Sequence, residues 1–454
     1  MKKNIILYFI LSIILGSCKK FVDVSPSPTQ IMNYKVFEND ATATRAVIGI
    51  YIQMMLNNQF TSSNTTLYAG LSADELYYYT NDLKQEFLKN EIGFSNHDLI
   101  AIVFWNPAYR YIYAANACIE GLNKSQTLTA SMKSRLIGEA KFIRAYCYFY
   151  LANLFGDVPL ITTTSYLDNA IKARDPKSKV YDQIVKDLID AEMQLTNDYP
   201  TAEKVRPNSL VASALLARVY LYLGDWNKAN ELSTKVINSG VYSLSTNLNS
   251  VFLKGSSETI FQLQPGASNI NTWEGSTIIP TSNSALPTYL ITNTLLNSFE
   301  TGDLRRVNWI QSRIFSGQVI YYPYKYKVQS NQAISEYYVY LRLAEQYLIR
   351  AEAKIQLNDI AGSQADLNII RRRAGLNNTN ATDKGSILLA IEKERQVEYF
   401  AEWGHRWFDL NRTNRSNTVL ATLKPATWQI TDMLWPIPTT QLNLNTALVQ
   451  NPGY

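Results

Sequence analysis

The stretch that decides the fold is NSLVASALLARVYLYLGDWNKANELSTKVI, residues 208–237. Leu216-Ala217, Tyr220, Gly224-Asp225-Trp226 and Ala229 fall at the offsets of a tetratricopeptide helix pair, with Ala217 where that repeat has glycine. Small residues let the two helices approach, and the aromatic fills the wedge at the turn. Upstream, 41–56, 99–122, 131–154 and 180–195 carry apolar residues at helical spacing, for example Ala43, Val47, Ile50, Tyr51 and Met54. The third of these is expected to stop at Gly156, with Pro159 just beyond. Downstream, 341–357 and 360–373 read as a looser helix pair, and 386–403 as a last long helix. Between them, 242–338 breaks the pattern with strand-like runs at 259–263 and 319–322 and a polar loop at 265–287. A loop of that length inside a compact domain is usually functional or mobile. The expected fold class is mainly α: tetratricopeptide-like helix pairs in an α-α superhelix, with a loop-rich region carrying a few short strands.

Composition narrows the chemistry. The chain has 454 residues, 46% of them hydrophobic, so it can bury a large core. It has only two histidines, His97 and His405, and three cysteines, Cys18, Cys118 and Cys147. That inventory speaks against zinc, copper and haem sites and leaves little room for a histidine-based triad. The net charge is +5, or +3 (41 basic against 38 acidic residues) once Lys2 and Lys3 are set aside. So small a charge, with no long basic run, gives no support to nucleic-acid binding. Cys118 and Cys147 each sit in an apolar helical stretch; buried free thiols and a disulfide both remain open.

The N-terminus points to export. Lys2 and Lys3 precede an apolar run at 5–15, too short to span a bilayer, and Leu15-Gly16-Ser17-Cys18 follows. This looks like a bacterial lipobox. Small side chains admit the peptidase, and the Cys18 thiol takes the diacylglycerol. Cys18 would then be the first mature residue, and its lipid, with an added acyl chain such as palmitate, exceeds the two-signal rule for stable anchoring. Ser25-Pro26-Ser27-Pro28 marks a polar, extended tether.

The densest charged motif runs from Glu394-Arg395 through Glu398 and Glu402 to His405-Arg406-Trp407-Phe408-Asp409-Leu410. Glu394, Glu398 and Glu402 share one helix face. A glycosidase needs two carboxylates flanking the scissile bond, and three acids on one face do not provide that. A buried ion-pair network, with Arg395, Arg406 and Arg412 neutralising the Glu and Asp, accounts for them better. No Gly-x-Ser-x-Gly elbow or phosphate-cradling glycine loop is present. No catalytic residue, metal ligand or cofactor is assigned.

Several motifs in order carry a family resemblance: Cys18, Ala73-Asp74-Glu75, Gly138 to Tyr146, Leu154 to Leu160, Glu258 to Phe261, Asp303-Leu304-Arg305, Lys325-Tyr326, Leu341 to Glu345, Ala351-Glu352-Ala353, Arg371 to Leu376, Glu394 to Leu410, and Pro436 to Tyr454. Over more than 400 residues the chain resembles the SusD/RagB family of Bacteroidetes outer-membrane lipoproteins. One departure is Trp403, inserted between Glu402 and Gly404. The resemblance implies four tetratricopeptide-type helix pairs with a loop-rich remainder on one side. It implies a lipid-anchored outer-membrane protein facing the cell exterior, one that is not an enzyme. Such a protein captures oligosaccharide and delivers it to a SusC-like TonB-dependent transporter. The alternatives are a peptide-binding RagB-like uptake lipoprotein and a tetratricopeptide scaffold for a protein partner.

The expected organisation is a signal peptide at 1–17, a lipidated tether at 18–33, a helical part at 34–240, a ligand-binding insertion at 241–338 and a C-terminal helical part at 339–454. A sugar needs an aromatic face for its C–H side and polar partners for its hydroxyls. Two irregular segments offer both: Tyr77, Tyr78 and Tyr79 with Asn81 and Asp82, and Trp273 with Asn269, Asn271 and Glu274. Tyr289 is a lesser candidate. Replacing the lipidated residue, Cys18→Ala, should release the protein from membranes; intact-mass measurement of the wild type should show the acyl chains.

Overall fold

The computed structural model describes residues 33–57, 59–266, 269–282 and 284–454. The signal peptide, the lipidation at Cys18 and the tether up to residue 32 lie outside the described residues. Among those described, nine helices have 13 or more residues: α1 Asp40–Met54, α2 Asn106–Lys124, α3 Ala130–Phe155, α4 Lys177–Gln194, α5 Ser209–Leu223, α6 Trp226–Asn238, α7 Leu343–Gln356, α8 Ile360–Arg373 and α9 Lys384–Tyr399. From α2 to α8 each packs on the next in chain order, and α9 packs on α7 and α8. The row continues from α6 to α7 even though 241–338 separates them. No helix among the described residues is long and apolar enough to cross a membrane.

Local chemistry explains the element ends. Asn208 caps α5, and its Oδ1 accepts from the Val211 amide at 3.0 Å. Gly224 ends α5 at φ 72°, where a Cβ is disfavoured, and the Asp225 carboxylate then caps α6. A two-residue turn follows, so the pair is antiparallel. The helix expected at 99–122 is interrupted: a π-helical turn at Ala101–Trp105 precedes α2. Pro107 lies in the first turn of α2 and has no amide to continue a regular ladder backwards.

Among the described residues, six short strands form three antiparallel pairs. β1 Leu76–Tyr78 pairs with β3 Tyr289–Ile291, β2 Thr259–Leu263 with β6 Tyr338–Arg342, and β4 Ile310–Phe315 with β5 Gln318–Pro323. The expected strand runs at 259–263 and 319–322 correspond to β2 and β5. Leu341 and Arg342, expected to open a helix, instead end β6. β5 also lies against β3, which places the β4–β5 hairpin beside β1 and β3.

The main apolar core runs from Ala43 to Ile437 through α1–α7, β2 and β6. A second cluster surrounds Trp309, Phe252 and Phe400, and a third joins α7, α8 and α9. Cys118 and Cys147 are buried and free, and burial pushes the Cys118 thiol up to about 12 and that of Cys147 higher still.

The helix expected at 386–403 ends at Tyr399. Ala401 and Trp403 then take φ of 51° and 49°, and Gly404 of 72°. This tight turn sends Trp403 inward: its ring centroid lies 4.2 Å from that of Tyr340, and its Nε1 donates to the Val339 carbonyl at 2.6 Å. The Trp403 insertion thus fills a core position.

The same turn brings Glu402 alongside Glu398 and Glu394 in a buried ionic cluster. Arg305 donates to Glu394 at 2.6 Å, to Glu398 at 2.9 Å and to Asp303 at 2.8 Å. Arg342 reaches Glu398 at 2.5 Å, Glu402 at 2.9 Å and Glu258 at 3.0 Å. Arg373 pairs with Glu398 and Glu258, and Lys325 donates to Glu402 at 2.5 Å. The ion-pair network is present, but the three glutamates have other partners than the expected arginines. Arg395 and Arg412 serve Asp409, and Arg406 serves Asp74. Burial alone would raise Glu398; Arg373, Arg342 and Arg305 outweigh it and hold the carboxyl well below the usual range. Glu398→Gln removes the charge and leaves three buried guanidiniums short of a partner, a loss of roughly 3–5 kcal/mol. Denaturant titration should show that loss in full above about pH 4.5. It should shrink as the pH falls toward the depressed native pKa, where the wild-type carboxylate also becomes protonated.

Candidate functional site

The best-formed aromatic surface is built on β1. A fully buried helix, Thr65–Ser72, leads into it. Asp74 receives Arg406 at both oxygens, 2.8 and 2.9 Å, and so pins the chain just before the strand. β1 then pairs in the register Leu76↔Ile291, Tyr77↔Leu290, Tyr78↔Tyr289. Strand alternation turns Tyr78 inward and Tyr77 outward. Tyr77 is 46% exposed and Tyr79 is 41% exposed.

Tyr78 anchors the segment. Its ring packs on Tyr289 at 5.3 Å, and its hydroxyl donates to Asp82. Lys84 lies 3.2 Å from the same carboxylate and 5.1 Å from the centre of the Tyr78 ring. Burial pushes Asp82 up, but the Tyr78 hydroxyl and Lys84 outweigh it and hold the carboxyl below its ordinary value. Asn81 is exposed beside them.

Tyr77 forms one wall of a cleft of about 430 Å³ that also includes Lys89, Thr292, Thr294, Lys424 and Thr427. Thr292 is engaged: its hydroxyl donates to the Asp74 carbonyl at 2.5 Å. Lys424 is engaged too, donating to the carbonyls of Leu71 at 3.1 Å and Ser72 at 2.9 Å and to Asn90 Oδ1 at 2.6 Å. Burial lowers it to about 7. The cleft therefore sets one aromatic face beside hydroxyl and amine groups, the pairing a sugar ring requires. Among the described residues, no group of three His, Cys, Asp or Glu is placed to hold a metal ion.

The second expected segment is arranged differently. Thr272 caps the short helix Trp273–Ile278. Trp273 is half-buried; its Nε1 donates to the Met55 carbonyl at 3.2 Å, and its amide donates to the Tyr338 hydroxyl. Glu274 is buried, 3.5 Å from the Thr66 hydroxyl that donates to it, and burial raises it to about 8. Gly275 is required here, because a Cβ would stand 2.4 Å from the Val328 carbonyl oxygen. Asn271 is buried, and its Oδ1 accepts from the amides of Ser335 at 2.7 Å and Glu336 at 2.9 Å. Asn269 is exposed, and its carbonyl accepts from the Asn331 amide at 2.8 Å.

Three side chains expected on a ligand surface are thus turned inward. Tyr78 follows strand alternation, Asn271 accepts from two backbone amides, and Glu274, on the buried face of its helix, meets the Thr66 hydroxyl. Tyr289 is buried as the partner of Tyr78. The contacts of the two segments run to different partners: Tyr77–Asp82 to β3 and Lys84, Trp273 to Met55 and Tyr338. Lys89, Thr294 and Thr427 carry no sequence signal and join Tyr77 only through the fold. A larger cavity, about 670 Å³, lies elsewhere, where the α5–α6 turn faces α7 and α9.

Comparison with known proteins places this arrangement. Residues 273–454 match the model described as the SusD family, and residues 20–221 match the model described as starch-binding associating with outer membrane. SusD-like protein P25 of Formosa agariphila is 24% identical, with 100% of this chain and 99% of that protein covered. The starch-binding protein SusD of Bacteroides thetaiotaomicron is 29% identical over 30% of this chain and 25% of its own length. Among solved structures, a SusD superfamily protein from Bacteroides vulgatus superposes with a TM-score of 0.81 at 20% identity, covering 91% of this chain and 99% of that one. A laminarin binding SusD-like protein superposes with a TM-score of 0.77 at 25% identity, covering 92% and 100%. The two family models account for both ends of the chain, and the row of helices with its small strand pairs superposes on these structures over almost all its length: the chain belongs to the SusD/RagB family.

Proposed function

We propose that this chain is a cell-surface glycan-binding lipoprotein that captures oligosaccharide and delivers it to a SusC-like TonB-dependent transporter. The observation that carries the reading is the exposed ring of Tyr77, held on β1 as a wall of a cleft lined by threonines, with the exposed Tyr79 ring stacked on Tyr78 just after the strand. Two relatives point to the same ligand chemistry, since one is named for binding starch and another for binding laminarin, both carbohydrates. A shallow, wet site suits weak binding, on the order of 10 μM to 1 mM. Weak binding in turn suits a protein that must release its ligand to a transporter.

In this reading Cys18 carries the lipid in the outer membrane, and the tether sets the folded part on the exterior. The stretch 241–338 supplies β3, the Trp273 helix and the β4–β5 hairpin as ligand-facing structure between the helical parts 34–240 and 339–454. Tyr77, Tyr79 and Asn81 contact the ligand directly, with Thr294 and Thr427 as hydroxyl partners. Trp273 and Asn269 form a second, more distant contact. Tyr78, Asp82, Asn271 and Glu274 position these surfaces. The protein acts by binding, without a catalytic step.

Titration of the lipoprotein with oligosaccharides from starch and from laminarin tests the site. Tyr77→Ala should weaken binding at least tenfold, about 1.4 kcal/mol, with little change in melting temperature. Unchanged affinity would remove Tyr77 from the site. Mild-detergent extraction of native membranes should recover the protein together with a barrel of transporter size, across an interface at or above about 1,600 Å². Repeated recovery of the lipoprotein alone would count against the partnership.

A further inference from the structure

Among the described residues, nine large apolar side chains are at least 70% exposed, and five of them gather on two neighbouring segments. Tyr166, Leu167 and Ile171 lie on one, Leu444 and Val449 on the other. Scattered exposed apolar side chains are ordinary, whereas a concentration of them marks a contact surface.

The first segment is a loop pinched at its base by the bridge between Val158 and Asp175. From there it runs along α2. The Tyr109 hydroxyl donates to the Pro159 carbonyl at 2.9 Å, Asn116 Nδ2 to the Ile161 carbonyl at 3.2 Å, and the Thr164 amide to Glu120 at 2.8 Å. The short helix Tyr166–Ala170 follows, and none of its residues is buried. The second segment carries the helix Thr439–Leu444, which likewise buries none. Asn445 Nδ2 donates to the Lys172 carbonyl at 2.8 Å, and Arg174 Nη1 donates to the Val449 carbonyl at 2.7 Å, so the two segments lie side by side. Helices of five and six residues are too short to be stable alone. These two are fastened through polar contacts while their apolar side chains are left outside.

The chain enters beside this loop. Phe37 packs against Gly121 near the end of α2, and the Ser125 hydroxyl donates to the Phe37 carbonyl at 2.7 Å. Gly121 is the neighbour of Glu120, which holds Thr164 two residues before Tyr166. The described residues begin at Asn33, 15 positions after Cys18. Such a length spans at most about 50 Å. A lipid on Cys18 therefore keeps the surface around Phe37 and Thr164 close to the bilayer and raises its effective concentration there.

We propose that Tyr166, Leu167, Ile171, Leu444 and Val449 form a membrane-resting surface, whose side chains enter the interfacial layer of the bilayer that holds the lipid on Cys18. A lipid surface needs no matching groove, which suits side chains that project singly from short helices. The Tyr166 ring can be buried there with its hydroxyl at headgroup level. The contact fixes which way the folded part faces. The proposal rests on the lipid at Cys18 and is independent of glycan binding at Tyr77.

The test places the acylated full chain in vesicles of phosphatidylethanolamine and phosphatidylglycerol that contain nitroxide-labelled acyl chains. A nitrobenzoxadiazole fluorophore is attached at Leu167→Cys, at Leu444→Cys or, as a control, at Val307→Cys, an exposed apolar position outside the two segments. Cys118 and Cys147 are buried and do not compete for the label. Emission at Leu167 and Leu444 should shift to the blue and be quenched by the nitroxide, and emission at Val307 should not. Leu167→Glu combined with Ile171→Glu should abolish quenching at Leu444 with an unchanged melting temperature. Unquenched probes at Leu167 and Leu444, equal quenching at Val307, or quenching at Leu444 that survives the double change would each overturn the proposal. So would loss of the transporter-sized barrel from mild-detergent extracts of the double variant, which would assign the surface to a protein partner. Intact mass separates the two readings. Acylated protein with unquenched probes refutes the surface and leaves the anchor standing, whereas wild type without acyl chains removes the anchor and the proposal together.

Discussion

Glu398 receives guanidinium groups from three separate parts of the chain: Arg305 before β4, Arg342 at the end of β6 and Arg373 at the end of α8. A carboxylate removed from water is tolerated only when such partners replace its hydration. Each arginine in turn needs its acids, Asp303, Glu258, Glu394 and Glu402, so no member is satisfied until the others have arrived. This mutual requirement ties 241–338 to both α8 and α9 and closes the loop-rich region onto the helical row.

The same device recurs along the row at smaller scale. Arg144 on α3 pairs with Asp187 on α4, Arg218 on α5 with Glu345 on α7, and Arg350 on α7 with Asp366 on α8. Apolar burial drives these helices together, but it is non-directional and leaves their offset free to slide. A two-point guanidinium–carboxylate contact is directional and sets that offset. The Asp74–Arg406 pair extends the logic to the surface, where it positions β1 and hence the face that Tyr77 presents. Arg395 departs from the pattern, with its Nη donors left over where the nearby acids are already engaged.

The helices were legible because their signal is local. The spacing at 41–56 names the buried face of α1 residue by residue, and the small residues and Gly224 at 208–237 specify a helix pair with a tight turn. β2 and β5 were visible as short β-branched and aromatic runs. β1 and β3 were not: each is three residues long and is stabilised by a partner far away in the chain. The overrun of the last helix past Tyr399 has a related cause. Residues 400–403 keep a helical apolar pattern, but burial of Trp403 against Tyr340 and the pairing of Glu402 with Arg342 hold Ala401 and Trp403 at positive φ.

The sequence by itself determined the helical class, the family to which its ordered motifs point, and the structural character of the Glu394–Glu402 acids. All of these rest on residue type and spacing along the chain. Only the tertiary structure decided which aromatic and amide groups face solvent. Tyr77 and Tyr78 are chemically equal neighbours, and the register of β1 on β3 exposes one ring and buries the other. Asn271 and Glu274 offered sugar-binding chemistry in the sequence, yet backbone amides claim Asn271, and its place on the buried face of the Trp273 helix removes Glu274 from the surface. Lys89, Thr294 and Thr427 meet Tyr77 only because three distant segments converge on one cleft. Periodicity records what a residue's own element needs, whereas a binding surface is assembled from contacts between elements.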